Sequence, residues 1–403
     1  MFDIPPSSRC RWFVASLLLA WISAAPCAAQ ITVQGVYVDT KNVLRYRKTV
    51  PGGSKRFRKD RSQDPALCYI SLPKLFAEVQ ALVQAGKPIP DRMRYLDGMV
   101  RLTHVFVDPE AKDLIIAGPA ETIAAATSQR PRGQRTGRPV LQLDDLVVAL
   151  RSVGPGSRTR VFGCTLVQDA GSVDRVAAFQ AKIRRLRNVR QDAIAAGMKQ
   201  AVGPLAAKFF GVPADSRFAL TCVEADYLMK RLSLGLDRSP VSGMKSYLER
   251  STGGNAFNRF WFTANYQPLL VSADGNSFEL QGPGLQVLAS TSPTKVVSQN
   301  PGATAFAADF TKHFVKLEDA VPAFADLHNL ADLAVASALI AEDRLHERIE
   351  WNMDWVLDSQ GYPVTKVRTP RQAETLVNYR IRGRLAITVA GGVQVAVDKA
   401  GNT

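Results

Sequence analysis

The residues best suited to chemistry lie in the segment LTCVEADYLMKRL, residues 220–232. On a strand, Glu224 and Asp226 would share a face, whereas on a helix Asp226 and Lys230 would be neighbours at the i,i+4 spacing. Two carboxylates can divide the acid and base roles of a hydrolase when their surroundings separate their pKa values, and a nearby lysine can orient a substrate. The alternative is an ion-pair network that ties a strand to a helix. Because the segment supplies no second half of a catalytic site, the network is the favoured interpretation.

A second set of candidate ligands consists of Glu342, His346 and Glu350, whose i, i+4, i+8 spacing places them near one face of a helix. Imidazole and carboxylate groups bind divalent metals. The surrounding segment AEDRLHERIEW contains no HExxH motif and is charged throughout, which is typical of a solvated helix face with Glu–Arg pairs. We therefore expect no metal site and no cofactor, and keep these three residues as weak metal candidates.

Polar residues also occur inside the apolar stretch VPAFADLHNLADLAVASALIA, residues 321–341. His328 and Asp332 are i,i+4 neighbours there, with Asn329 beside them. A polar group inside an apolar helix must find hydrogen-bond partners. We expect a core network that holds this helix against a strand, with a ligand site as the alternative.

Motifs of the common enzyme classes are missing from the sequence. It has no GxSxG nucleophile elbow, no Walker A loop and no CxxC pair. Whether the protein is an enzyme stays open at this stage, although a non-enzymatic role is favoured.

Positive charge is the most distinctive feature of the chain. Its 403 residues include 51 Lys and Arg against 36 Asp and Glu, a net charge of +15. Such a surface attracts polyanions. The candidate contacts lie in three basic stretches: Lys55, Arg56, Arg58, Lys59 and Arg61; Arg132 and Arg135; and Lys182 and Arg185.

The N-terminus predicts export. Arg9 and Arg11 precede the apolar run WFVASLLLAWI, which is too short to span a bilayer, and small residues follow up to Ala29. Residues 1–29 are therefore expected to be a cleaved signal peptide, leaving a secreted, periplasmic or envelope protein with no further transmembrane segment. Cleavage removes two arginines and one aspartate, so the mature chain keeps a net charge of +14. Cys68, Cys164 and Cys222 remain, and their pairing cannot be read from the sequence.

The hydrophobic periodicity predicts an α+β fold of several β-hairpins packed with separate helices. Residues 30–300 are expected to form an α+β main domain with a basic, Gly/Pro-rich insert at 128–139. Residues 301–360 are expected to form a helical region packed on it, and residues 361–403 a C-terminal β-hairpin extension that turns at Gly391-Gly392. The individual predicted elements are hairpins at 31–44, 99–118 and 379–398, helices at 71–86, 144–151, 172–200, 303–317 and 322–357, a strand-like start at 218–223 that leads into a helix, and a β-rich stretch at 260–288.

Several phrases along the chain resemble an uncharacterised secreted bacterial family, domain of unknown function 1598. They include YISLPKL, MRYLDGMVRLTHVFVDPE, PVLQLDDLVVALR, VEADYLMKRL, SPVSGMKSYL and RFWFTANYQPLLVSADG. The resemblance spans roughly residues 31–357. It implies a signal peptide and one extended family domain, but no activity, fold or ligand.

Three functional hypotheses follow. The first is a non-enzymatic envelope or extracellular protein whose basic surface binds an anionic glycan, a wall polymer, a lipid headgroup or extracellular DNA. The second is an exported hydrolase that uses Glu224 and Asp226, or a metal. The third is a structural assembly subunit whose terminal hairpin adds to the sheet edge of a neighbour. The oligomeric state stays open.

Overall fold

The structure is a computed structural model and describes residues 36–46, 67–124, 130–185, 190–251, 257–290, 300–380 and 385–397. Within these residues the strands are β1 (Val36–Val38), β2 (Val43–Tyr46), β3 (Leu67–Ser71), β4 (His104–Asp108), β5 (Asp113–Pro119), β6 (Val161–Val167), β7 (Leu205–Phe210), β8 (Phe257–Asn265), β9 (Leu270–Val271), β10 (Ser277–Glu279), β11 (Gly284–Ala289), β12 (Gln372–Ala373), β13 (Val377–Arg380) and β14 (Leu385–Ala396).

The helices alternate with these strands without any regular repeat. They are α1 (Leu72–Gln84), α2 (Asp91–Arg94), α3 (Leu143–Val153), α4 (Ser172–Arg184), α5 (Gln191–Val202), α6 (Arg217–Ser233), α7 (Tyr247–Arg250), α8 (Pro301–Lys312), α9 (Phe314–Ala320), α10 (Pro322–Glu342), α11 (Leu345–Arg348) and α12 (Asp354–Leu357). The predicted α+β class is confirmed.

Local sequence signals account for the elements that were predicted well. In α1 the hydroxyl of Ser71 caps the first turn by accepting from the backbone N–H of Lys74, and Pro73 lies in that turn. Gly86 follows the helix with a φ of +64°, a conformation that glycine adopts without strain. The hairpins β1–β2 and β4–β5 turn at residues 39–42 and 109–112, as expected.

A nine-stranded mixed sheet forms the larger layer. Its strand order is β1-β2-β12-β7-β6-β14-β8-β11, with β13 also paired to β14. β14 runs antiparallel to β6 and parallel to β8. A strand from the C-terminus therefore lies in the interior of the sheet, and the pairing crosses the predicted boundary at residue 361.

The predicted turn of the terminal hairpin is wrong. Gly391 and Gly392 lie inside β14, and the hairpin pairs β13 with the first residues of β14. A Cβ at Gly391 would lie 1.8 Å from the carbonyl oxygen of Phe260, and one at Gly392 would lie 2.1 Å from that of Cys164. These glycines permit close approach of neighbouring strands. At residues 391–394, β14 is paired on both sides by strands of the same chain, β6 and β8.

A second sheet of five strands has the order β3-β5-β4-β10-β9. It combines the hairpin β4–β5 with the hairpin β9–β10, which turns at residues 272–276. Only the central part of the predicted β-rich stretch belongs here, because β8 and β11 pair with each other in the nine-stranded sheet.

Helix α10 is the centre of the hydrophobic core. It packs against α3, α6, α9 and β11. Among the residues that the structure describes, it is the one helix long and apolar enough to cross a bilayer, and its apolar stretch is entirely buried inside the fold. A helix that is apolar around its circumference is expected to be buried on all sides.

Three predicted helices and one predicted strand-like start differ from the structure. The expected helix 322–357 ends at Glu342 and is followed by the short helices α11 and α12. The expected helix 172–200 is two helices, α4 and α5, which fold back on each other, and Val173 of the expected buried stripe is 68% exposed. The expected helix 303–317 is interrupted at His313. The strand-like start at 218–223 is wrong, because these residues are the first turns of α6.

Candidate functional site

The three candidate catalytic residues are buried on α6 but do not form one site. Lys230 donates to Asp226 over 2.5 Å across one helical turn. Glu224 instead accepts from Arg130 over 2.8 Å. Two positions apart on a helix, Glu224 and Asp226 point to different sides, and each carboxylate has its own cation. The alternative of an i,i+4 pair between Asp226 and Lys230 is the one that the structure adopts.

Glu224 belongs to a buried ion cluster, defined here as Arg130, Asp145, Arg217, Glu224 and Asp326. Arg217 Nε lies 2.8 Å from Asp145 Oδ2, and Arg217 Nη1 lies 3.3 Å from Asp326 Oδ1. Arg130 joins Asp326 to Glu224. Two guanidinium groups thus face three carboxylates, and together they connect α3, α6 and α10 with the segment before α3.

Burial dominates the electrostatics of this region. It raises the pKa of Asp145 to about 6, although Arg217 acts in the opposite direction. Burial likewise raises the pKa of Asp226 against the effect of Lys230. Since Glu224 is only 3% exposed, the cluster offers no open position where a substrate could meet a carboxylate. Its arrangement is that of a structural cross-link.

The predicted core network around His328 is present. His328 Nδ1 lies 2.7 Å from Glu318, and Asp332 accepts from Arg101 over 2.5 Å and from the hydroxyl of Tyr266 over 2.6 Å. Although burial favours the neutral form, His328 and the nearby arginines hold the pKa of Glu318 below its usual value. This network connects α10 to α9, to the segment just before β4 and to the segment between β8 and β9.

The weak metal candidates do not come together. Helix α10 ends at Glu342, and Arg344 has a left-handed backbone that breaks the expected helix. Glu342 pairs with Arg160 over 3.3 Å, and Glu350 pairs with Lys112. Within the described ranges, no group of three or more His, Cys, Asp or Glu side chains could hold a metal ion.

The insert at 128–139 is folded onto the core where it is described, from residue 130 onwards. Arg135 pairs with the buried Glu121 over 3.4 Å, and Arg138 pairs with Glu318 over 2.9 Å. Arg132 is half-buried, and burial together with the neighbouring Arg130 lowers its pKa. Arg135 and Arg138 therefore pair with buried carboxylates of the fold, and Arg132 lies partly buried beside them.

The other polyanion candidates fall into two groups. Lys182 and Arg185 are exposed at the C-terminal end of α4, and neither forms an ion pair with any described residue. Lys55, Arg56, Arg58, Lys59 and Arg61 lie outside the described residues.

The three cysteines among the described residues, Cys68, Cys164 and Cys222, are free thiols. Cys164 and Cys222 are buried, as expected of small core residues, and Cys68 is half-buried. Burial raises the pKa of Cys222 and Cys164 above the usual range of a thiol. Neither buried group is therefore a thiolate nucleophile.

The sequence pattern did not single out Asp145, Arg217 or Asp326, and it placed Arg130 on a surface insert. One signal was available: Asp326 interrupts an apolar helix, where a charge needs a partner. Its partners come from segments that are distant in sequence, and so only the fold reveals them.

Comparison with known families gives one match. A family model described as "Protein of unknown function (DUF1598)" matches residues 164–247, from β6 to the first residue of α7. The chain resembles this family. The match includes Glu224, Asp226 and Lys230 but is shorter than the expected 31–357, and the family description assigns no activity. No curated protein and no solved structure matches the chain.

Proposed function

We propose that the protein is exported and binds an anionic polymer through a basic surface, without catalysing a reaction. The term basic surface refers here to the exposed Lys182 and Arg185 at the C-terminal end of α4 and, from the sequence alone, to the basic stretch 55–61. The resemblance is to a family of unknown function, so this proposal rests on the distribution of charge.

The observation that carries the proposal is where the excess charge lies. The described residues contain 37 Lys and Arg against 32 Asp and Glu, a net charge of +5. The remaining residues contain 14 Lys and Arg against 4 Asp and Glu, a net charge of +10. The described residues are thus close to electrically balanced, and two thirds of the net charge of +15 belongs to the remaining residues, among them the basic stretch 55–61.

Ion pairing also distinguishes the buried arginines from the exposed Lys182 and Arg185. The arginines of the core have carboxylate partners, as in the pairs of Arg101 with Asp332, Arg130 with Glu224 and Arg217 with Asp145. These guanidinium groups are bound to buried carboxylates, so they are not free to contact a polymer. Lys182 and Arg185 have no such partner among the residues described, so their charge is available to an external anion.

Export is supported by the basic, apolar and small-residue order of residues 1–29. We expect the mature chain to begin at or near Gln30. Expression of the full-length protein in a bacterial host, followed by fractionation and N-terminal sequencing, tests this directly. Recovery of an intact N-terminus at Met1 in the cytoplasmic fraction would contradict it.

Binding to polymers is tested with the purified mature chain and a panel of an anionic glycan, anionic lipid vesicles and single-stranded DNA at two salt concentrations. Electrostatic binding releases counterions, so affinity should fall steeply with salt and depend little on the polymer's sequence. The double variant Lys182→Gln/Arg185→Gln should bind more weakly than Lys312→Gln/Lys316→Gln, which removes the same charge from exposed positions on α8 and α9. Binding that ignores salt, equal binding by the two variants, or no binding of the unmodified chain at low salt would overturn the proposal.

A further inference from the structure

A cavity of about 660 Å³ lies in the loop between α6 and α7, on the side facing α8. Its volume is within the range of small-molecule sites. The loop, residues 235–246, enters no helix or strand of its own, and it falls inside the matched family segment. Neither the ion cluster nor the basic surface contributes a side chain to it.

The floor of the cavity is apolar. Leu232 comes from the end of α6, Met244 from the loop and Phe306 from α8. All three are buried, and Phe306 is fully enclosed within the aromatic core beside Phe260. A floor of this kind favours a ligand with an apolar body.

The charged groups on the wall are not equally available to a ligand. Both carboxylate oxygens of Asp237 accept from Arg231, at 2.7 and 2.9 Å. Glu249 closes the capping box of α7 by accepting from the backbone N–H and the hydroxyl of Ser246, which lowers its pKa. The two wall acids therefore already have hydrogen-bond donors.

The cations on the wall, in contrast to the acids, have no carboxylate partner among the described residues. Arg238 and Lys245 are exposed, and neither forms an ion pair with another residue of the described part. The hydroxyl of Ser242 between them makes no hydrogen bond there either. The donors that remain free at the rim belong to cations and a hydroxyl, which fits an anionic group.

We propose that this cavity binds a small organic anion whose charged group contacts Arg238 and Lys245 and whose apolar body rests on the floor at Leu232 and Met244. The site is distinct from the basic surface proposed above. A small ligand of this class is recognised by both charge and apolar contact, whereas a polymer bound by the basic surface is recognised by charge alone.

The test uses three probes on the full mature chain in isothermal titration calorimetry: naphthalene-2-carboxylate, its uncharged analogue naphthalene-2-carboxamide, and inorganic phosphate. We expect saturable 1:1 binding of the carboxylate, with the amide weaker by about tenfold because a charge-assisted hydrogen bond is lost. Phosphate should also bind more weakly, because it has no apolar body. Equal affinity for carboxylate and amide, or no saturable binding of either, would overturn the proposal.

Variants separate this cavity from a general effect of charge. Arg238→Gln/Lys245→Gln should abolish the preference for the carboxylate, whereas Lys87→Gln/Arg158→Gln, which removes the same charge from exposed positions elsewhere, should keep it. Ser242→Trp should block both naphthalene probes by filling the opening, without altering the buried floor. If the first variant keeps the preference, or if Ser242→Trp binds as the unmodified chain does, the anion does not occupy this cavity. Polymer binding at two salt concentrations should be unaffected by Ser242→Trp, so failure of one proposal does not imply failure of the other.

Discussion

At the scale of single residues, the buried ion cluster contains fewer cations than carboxylates. Arg130 and Arg217 face the carboxylates of Asp145, Glu224 and Asp326, and all of these side chains except that of Arg217 are almost completely buried. A buried charge that loses its partner is far more costly than a surface pair that is broken. The cluster therefore holds the segment at 130–139 against α6 and α10. The stability of the core in turn depends on that segment, because the segment supplies Arg130.

Removing Arg130 should show this dependence. The Arg130→Met variant leaves Glu224 without its guanidinium and Asp326 with Arg217 alone, and we expect a loss of about 3–5 kcal/mol in the free energy of unfolding. Urea denaturation of the mature chain measures it. The control Arg158→Met changes an exposed arginine with no ion pair in the described ranges, and should alter stability by no more than about 0.5 kcal/mol. Similar losses in the two variants would contradict the assignment of Arg130 to a buried cluster.

Asp145 predicts a specific dependence of stability on pH. Its folded pKa, about 6, lies above its ordinary value of 3.8, mainly because of burial, with Asp326 and Asp144 adding to the effect and Arg217 opposing it. Between pH 4 and pH 6 the folded state then binds a proton that the unfolded state has lost, so the contribution of this group falls as the pH rises. Other carboxylates, such as Glu318 and Glu374, have lowered pKa values and act with the opposite sign.

The difference between the unmodified chain and Asp145→Asn isolates this contribution. We expect the free energy of unfolding of the unmodified chain, minus that of Asp145→Asn, to decrease from pH 4 to pH 6 and to level off above it. Denaturation at a series of pH values measures the difference. A difference that increases with pH would mean that Arg217 outweighs burial and holds this carboxylate ionised.

At the scale of elements, sequence patterns predicted structure well where one face of an element is buried. Helix α1 and the hairpins β1–β2 and β4–β5 follow their apolar periodicity and turn residues. Helix α6 could not be recognised from its start, because it is buried on nearly every side and so shows no periodicity. The same burial hid the arrangement of the polar residues: the sequence places Glu224 and Asp226 in one cluster, whereas Glu224 pairs with Arg130 from a distant segment and Asp226 pairs with Lys230 on the same helix.

Gly391 shows how a local signal can mislead. A glycine pair between apolar residues resembles a turn, but here it allows β8 and β14 to approach each other. Gly391→Ala should reduce the free energy of unfolding by about 3 kcal/mol or more, since its Cβ would overlap the backbone of Phe260 at a φ of +124°. Gly275→Ala is the matched control: its φ of +67° is also positive but the space around it is open, so only the conformational cost of about 1–2 kcal/mol should appear. Equal losses in urea denaturation would contradict the close strand approach.

At the scale of the whole molecule, the described residues carry a net charge of +5, and many of their arginines pair with carboxylates. The interior arginines connect helices and the segment at 130–139, and their carboxylate partners neutralise them. The excess belongs mainly to residues outside the described ranges, including the segment 55–61. The sequence gives the net charge of the chain. It does not show which cations pair with carboxylates, because these ion pairs form between segments that are distant in sequence.

The most direct test of this division is the salt dependence of polymer binding. A single-stranded DNA oligonucleotide serves as the probe, because its charge spacing is uniform, and the slope of log affinity against log salt reports the number of charges contacted. Neutralising Lys55, Arg56, Arg58, Lys59 and Arg61 to Gln should make this slope shallower by roughly 3.5 units, at about 0.7 for each of five contacts. A control that changes five exposed cations of the fold, Lys87, Arg158, Lys208, Lys312 and Lys316, to Gln should leave the slope nearly unchanged. If both variants flatten the slope equally, or if the unmodified chain does not bind at low salt, the basic surface is not the site of polymer binding.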